Sequence, residues 1–374
     1  MKSQYFSGVT FPDVSQQERE AVANRLYFEW KEKYFTVNPY ISDQAFIHWY
    51  EDTGVAVSEG HGYGMLLLAL MGDKDLNGKT DFDKMVRFFL AHPSEVDKNF
   101  MAWQQDDNGS AIVDIGGVDS ATDGDLDIAY ALLLADNNWG SEGEFHYKEM
   151  AIKIINATME TIVCQDKWVL NLGDWVVNPG HDRLSTRPSD FMLQHFRTFK
   201  AVTGDVRWDK LHENIIKAIN DLHAVVPKTG MLPNFAKLNA QGNFEPKENM
   251  YSWDACRIPW RTAMDFIMHG KEAALPMIKT VNNFISELTE GNPHNVRAGY
   301  DIIEGTPQAP WNSPAFTSPF MIAAMADPTK KDWLNALWKF NAERVTADGR
   351  YYDNSIRAIC MLTAAGCWWC PERK

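Results

Sequence analysis

No stretch of the sequence stays apolar for long. The longest such run, Ile128 to Ala135, has eight residues and Met65 to Met71 has seven, against about 20 for a membrane-spanning helix. The N-terminal Met-Lys-Ser-Gln-Tyr-Phe-Ser-Gly has no apolar signal core. A secreted or periplasmic protein whose signal peptide has been removed and a cytoplasmic protein are therefore both open. Polybasic runs are absent, and 50 acidic against 36 basic residues give a net charge of −14. That balance argues against non-specific binding of nucleic acid or of an anionic membrane. No His-Glu-x-x-His, phosphate loop or Gly-x-Ser-x-Gly occurs. The Gly-rich Glu59-Gly-His-Gly-Tyr-Gly64 follows no strand pattern and lacks dinucleotide-loop spacing. Cysteines are few and odd in number: Cys164, Cys256, Cys360, Cys367 and Cys370. A full disulfide framework is thus disfavoured. Cys367-Trp-Trp-Cys370 has redox spacing but follows a helical segment, and no second pair exists to complete a metal site, so a structural role is expected. With no Gly/Ser-rich or Pro-rich linker, residues 1–374 read as one domain.

What the chain does have is helical periodicity. Candidate helices lie near 15–36, 58–72, 80–92, 124–138, 145–163, 188–203, 207–224, 255–269, 272–290, 314–326, 330–345 and 353–366. Ser58, Asp123 and Asp254 stand where N-caps are expected. Period-2 alternation is scarce, and the one hairpin signal is Asp106-Asp107-Asn108-Gly109. At about 31 residues per helix and connection, antiparallel neighbours are expected. Long connections at 93–123, 164–187, 225–253 and 291–313 carry many of the aromatic and acidic residues. Such loops on a helical scaffold are often functional. Asp73-Lys-Asp75-Leu-Asn77-Gly78 opens like a calcium loop, but its twelfth position is Lys84 rather than Glu. A solvated turn is expected there, and no metal or cofactor anywhere.

Aromatic residues make up 12% of the chain, with 14 Trp, and flat rings suit both large cores and carbohydrate stacking. Three segments place acids where a loop enters a helix: Val57 to Met65, Ser120 to Tyr130, and Tyr251 to Arg257. Two carboxyl groups across a cleft are what glycosidic bond cleavage requires. An acid at a helix start is also a good cap, and the macrodipole lowers its pKa. For Glu59 to serve as a proton donor, burial or a neighbouring negative charge such as Asp123 has to offset the helix end.

The stretch Ala121-Thr-Asp123-Gly-Asp125-Leu-Asp-Ile128-Ala129-Tyr-Ala131-Leu-Leu-Leu-Ala135-Asp-Asn-Asn-Trp139 resembles the signature of glycoside hydrolase family 8. Ser58-Glu59-Gly60-His61-Gly62-Tyr63-Gly64-Met65 resembles the acid motif of that family. Trp253-Asp254-Ala-Cys-Arg257-Ile-Pro-Trp260-Arg261-Thr262 resembles its base segment. Gly173-Asp174-Trp175, Arg187-Pro-Ser-Asp190-Phe-Met and Tyr351-Tyr352-Asp-Asn354-Ser355 extend the likeness along nearly the whole chain.

The resemblance implies an all-α (α/α)6 barrel and metal-free, inverting, endo-acting hydrolysis of β-1,4-linked polysaccharide by a monomer. It implies Glu59 as general acid, Asp254 as general base, and Asp123 as the acid that binds and distorts the sugar at the cleavage site. Arg257 stands beside the base, Trp103 and Trp175 match subsite aromatics, Trp253 takes the place of a substrate-binding tyrosine next to the base, and Tyr351 and Tyr352 match a tyrosine pair near the cleavage site. Chitosanase and lichenase members typically carry Asn where this chain has Asp254, and they use a Glu from a longer preceding loop. Here that loop offers Glu245 and Glu248 as alternative bases. The expected activity is an endo-β-1,4-glucanase, with a chitosanase or mixed-linkage β-glucanase as the alternative and a non-catalytic carbohydrate binder as the remote one.

Overall fold

The computed structural model describes residues 5–49, 54–346 and 350–371. Among these are twelve α-helices, at the twelve places where the periodicity puts them. Six alternate members form an inner ring: α2 (Ser58–Leu70), α4 (Thr122–Trp139), α6 (Leu193–Thr203), α8 (Ile258–His269), α10 (Pro314–Met325) and α12 (Tyr351–Ala364). Consecutive members pack on one another, and α12 returns to α2. The α4–α6 step is made by Tyr130 and His195, stacked with centroids 4.1 Å apart, and by Gln194 Nε2 donating to Tyr130 Oη at 2.7 Å.

The outer helices are α1 (Gln16–Tyr34), α3 (Gly78–Ala91), α5 (Tyr147–Ala157), α7 (Arg207–Val225), α9 (Leu275–Leu288) and α11 (Lys331–Glu343). Packing α1 on α12, α3 on α2, α5 on α4, α7 on α6, α9 on α8 and α11 on α10 completes six helix pairs, an (α/α)6 barrel. Sequence explains the division. An inner helix has protein on every side and is apolar all round. Every residue of α2 but Glu59 is buried, as is all of α10 and all of α8 but His269. An outer helix buries one stripe: α7 buries Trp208, Leu211, Ile215, Ala218, Ile219 and Leu222, at helical spacing.

Because each inner helix is followed by an antiparallel outer one, all six inner helices start at the same end. The four long connections lead into α4, α6, α8 and α10, so they gather at that end too. They carry small antiparallel sheets of two or three strands. The strand Gly54–Val57, which runs directly into α2, pairs with Gln104–Asp107, which pairs in turn with Ile112–Asp114. The hairpin expected at Asp106–Gly109 exists, but with a longer turn. Asp107 pairs with Ile112, and Asn108 Oδ1 collects the backbone N–H groups of Ser110 and Ala111 at 2.9 Å each.

Three local expectations are corrected. The side chains of Ser58 and Asp254 make no capping hydrogen bond, and Asp123 reaches only the adjacent Gly124 N–H, at 3.0 Å. The two acids turn instead towards arginines. The turn at 73–78 is not solvated at Asp75, which is buried beneath Tyr27 Oη (2.6 Å) and the Lys31 ammonium of α1. Helices α6 and α8 start later than expected, behind short 3-10 turns at Pro188–Asp190 and Ala255–Arg257. All five cysteines are free thiols. Among the described residues no helix is long and apolar enough to cross a membrane.

Candidate active site

At the starting ends of the inner helices lies an open cavity of about 410 Å³, a size suited to a small ligand or a few sugar rings. Its lining takes Glu59 from α2, Asp123 from α4, Arg187 before α6, Asp254 and Arg257 before α8, and Tyr351 from α12. The first turns of five inner helices, or the segments leading into them, thus set the polar groups, and rigid elements hold such groups in register better than free loops do.

The Gly-rich stretch of α2 is a packing device. A Cβ on Gly60 would stand 2.8 Å from the Tyr351 ring, and one on Gly62 would stand 2.9 Å from Asp127 Cβ. Gly124 of α4 approaches closer still, because its Cβ would lie 2.6 Å from the Ser58 carbonyl carbon. These gaps let α4 and α12 close on the first turn of α2. Tyr351 Oη then donates to Glu59 Oε1 at 2.9 Å.

Arg257 is buried at the centre. Its Nη1 donates to Glu59 Oε2 and to Asp123 Oδ2, both at 2.7 Å, and its Nη2 donates to Ser189 Oγ at 3.1 Å. Asp254 Oδ1 stands 3.6 Å from the same Nη2. The two terminal guanidinium nitrogens lie ~2.3 Å apart, so the nearest Glu59 and Asp254 oxygens are less than about 9 Å apart. A second arginine, Arg187, pairs with Asp123 Oδ1 at 2.9 Å, reaches Asp254 Oδ1 at 3.4 Å, and grips both oxygens of Asp190 at 3.1 Å.

Burial divides these acids. Glu59, at the cavity floor with its side chain 17% exposed, is pushed up to about 7. Desolvation is the main cause, Arg257 opposes it, and the Asp123 charge adds to it. Both offsets that the helix end demands are present. Burial raises Asp123 as well, but the Arg187 and Arg257 charges override it and hold its carboxyl well below the usual range. Asp190 is raised to about 6, chiefly by burial and against the pull of Arg187.

Trp103, Trp253 and Tyr352 also line the cavity. Trp253 is 40% exposed and meets Tyr352 edge-on at 6.0 Å. Trp175 lies outside the lining, half-buried against His181 at 5.0 Å. Glu245 is occupied by Lys237 (3.2 Å) and Asn239 (3.0 Å) on its own hairpin, and neither it nor Glu248 lines the cavity. Residues that the sequence reading left out of its site are Arg187, Trp49, Arg350 and Asp353 in the lining, with Asp190 behind them. An available signal for the first was Arg187-Pro-Ser-Asp190, a cation and an anion joined by a turn-forming proline.

The family described as Glycosyl hydrolases family 8 matches residues 11–366. A protein named Beta-glucanase from Niallia circulans is 38% identical over 380 aligned positions, spanning 98% of this chain and 89% of its own. An Endoglucanase from Bacillus sp. strain KSM-330 is 32% identical, spanning 98% and 80%. The apo structure of a Beta-1,3-1,4-glucanase from Paenibacillus sp. X4 superposes with a TM-score of 0.93 at 37% identity, covering 98% of this chain and 97% of that one. A family-wide match and these full-length relatives coincide with a two-carboxyl cleft on an (α/α)6 barrel, and the chain belongs to glycoside hydrolase family 8.

Proposed function

We propose that the chain, acting as one catalytic domain, is an endo-acting, inverting hydrolase of β-1,4 bonds in glucan. In this reading Glu59 is the general acid and Asp254 the general base. The observation that carries it is a largely buried glutamic acid, pushed up to about 7, lining the same open cavity as the Asp254 carboxylate. A general acid must keep its proton near the working pH, and one near 7 does. Arg257 occupies Glu59 Oε2, so the proton belongs on Oε1, beside the Tyr351 hydroxyl. That proton passes to the leaving glycosidic oxygen as the bond to the anomeric carbon breaks. Water attacks that carbon from the opposite face and gives its proton to Asp254. Asp123 stays ionised between two guanidiniums, and its charge favours the oxocarbenium-like transition state. Trp103 and Trp253 provide ring faces for sugars, and Trp175 serves a subsite beyond the cavity.

Charge favours a neutral glucan over chitosan. Glu59, Asp123, Asp254 and Asp353 line the cavity with Arg187, Arg257 and Arg350, and a protonated Glu59 leaves the two signs equal. A mixed-linkage glucan is the second reading, favoured by the likeness to the Paenibacillus Beta-1,3-1,4-glucanase. A polymeric substrate of either kind is met outside the cytoplasmic membrane, which favours a secreted or periplasmic protein over a cytoplasmic one. A reducing-sugar assay on carboxymethyl cellulose, barley β-glucan, chitosan and xylan tests the assignment. Release from the glucans, with an early fall in viscosity, is expected. Turnover of chitosan alone would overturn the substrate, and inactivity on all four would favour a binder.

A further inference from the structure

Asp254 is held differently from the other acids of the site. Its side chain is 32% exposed and makes no capping bond. Arg187 Nη1 at 3.4 Å and Arg257 Nη2 at 3.6 Å both approach the same oxygen, Oδ1. A carboxylate fixed through one oxygen keeps the other for a water molecule, as a base requires.

The two arginines divide their work. Arg257 commits its Nη1 to Glu59 and Asp123, the acid side of the site. Arg187 donates from Nε to Asp190 and from Nη1 to Asp254, while its Nη2 stands 2.9 Å from Asp123 as an ion pair without a hydrogen bond. Asp190 is buried behind the cavity lining, which it meets through Arg187, and sits in the turn Pro188–Asp190 with its own N–H on the Arg187 carbonyl at 2.9 Å. The same turn supplies Ser189, whose Oγ accepts from Arg257 at 3.1 Å. One short turn thus braces both guanidiniums.

We infer that Arg187 and Asp190 are positioning residues for the base: Asp190 fixes the plane of the Arg187 guanidinium, and Arg187 aims Asp254 at the attacking water. The inference rests on Asp254 being the base. A lysine at 187 keeps the charge but offers a point donor in place of a planar fork, so it cannot hold Asp190 and Asp254 from two fixed directions. An asparagine at 190 keeps the shape but accepts through one oxygen only.

The test is steady-state kinetics on a soluble glucan for Arg187→Lys, Asp190→Asn, the double variant and Asp254→Asn, each with a thermal melt. Misplacing a reacting group by an ångström costs about 10²-fold in turnover. Arg187→Lys and Asp190→Asn are each expected to lower kcat by that order and to leave KM nearly unchanged. Since Asp190 acts through Arg187, the double variant should lose no more than Arg187→Lys alone. Losses that multiply in the double variant, or a raised KM at unchanged kcat, overturn the inference. Should Asp190→Asn fail to fold, Asp190→Glu keeps the charge while displacing the guanidinium; lowered kcat then supports the inference and unchanged kcat overturns it. A dead Asp254→Asn beside fully active Arg187→Lys and Asp190→Asn defeats the positioning role and spares the base. An active Asp254→Asn defeats both.

Discussion

A glutamic acid in the first turn of a helix normally gives up its proton more readily, because the macrodipole favours its anion. Glu59 does the reverse, since burial, with the Asp123 charge, outweighs Arg257. Its folded value, about 7, exceeds its ordinary 4.5. Between those two values the unfolded chain releases a proton that the folded chain retains, so stability falls as pH rises through the window. The loss is at most about 3 kcal/mol. Glu59→Gln should therefore melt higher than the parent at pH 7 and about equally at pH 4; parallel melting curves across that range would contradict the burial of a retained proton. The same variant should lose about 10²–10⁴-fold in turnover on polysaccharide and less on substrates with activated leaving groups. The kcat/KM of the parent should decline as pH passes about 7. Asp123, Arg257 and the tyrosine pair were legible because their neighbours form motifs. Arg187 and Asp190 were legible only as a segment, since their role depends on Asp123 and Asp254 from distant parts of the chain. Glu245 and Glu248 show the converse, since neither lines the cavity: residue type and nearby sequence do not tell which way a loop side chain faces.

Among the elements, the contact between α2 and α4 governs the site most directly. Gly124 faces the Ser58 carbonyl, which is backbone and cannot swing aside. Gly124→Ala should therefore destabilise the protein by about 1–3 kcal/mol, as overpacking does, and should lower kcat through displacement of Glu59. A melt together with kinetics checks both, and an unchanged melt with normal kcat would mean the helices part freely. Helix positions were readable because inner and outer helices follow apolar patterns that do not depend on partners. Helix starts were less so. At Asp254 the sequence offers a good cap, yet tertiary charge pairing with Arg187 and Arg257 takes the side chain elsewhere. Short strands were missed for a similar reason: pairs such as Met250–Tyr251 with Tyr300–Asp301 are two residues long and too brief for alternation to show.

At the scale of the whole barrel, one buried ionic group joins three inner helices. Asp127 of α4 receives both terminal nitrogens of Arg261 from α8, one of them at 2.9 Å, and stands 3.1 Å from His195 Nε2 of α6. Removing one partner strands a buried charge, so Asp127→Ala should cost about 3–5 kcal/mol. A denaturant midpoint unchanged from the parent would show that the ring closes without it. Sequence periodicity gave the helix count, but the closure of the ring came from a match to a family motif rather than from composition. What the assembled molecule does to its substrate is decided by where water enters relative to Glu59. Proton NMR of the first products from a β-linked glucan reads this most directly. Attack by a water on Asp254, opposite the Glu59 proton, predicts that the α-anomer appears first and that the β-anomer follows by mutarotation. An initial β-anomer would contradict the assignment of the two carboxyl groups.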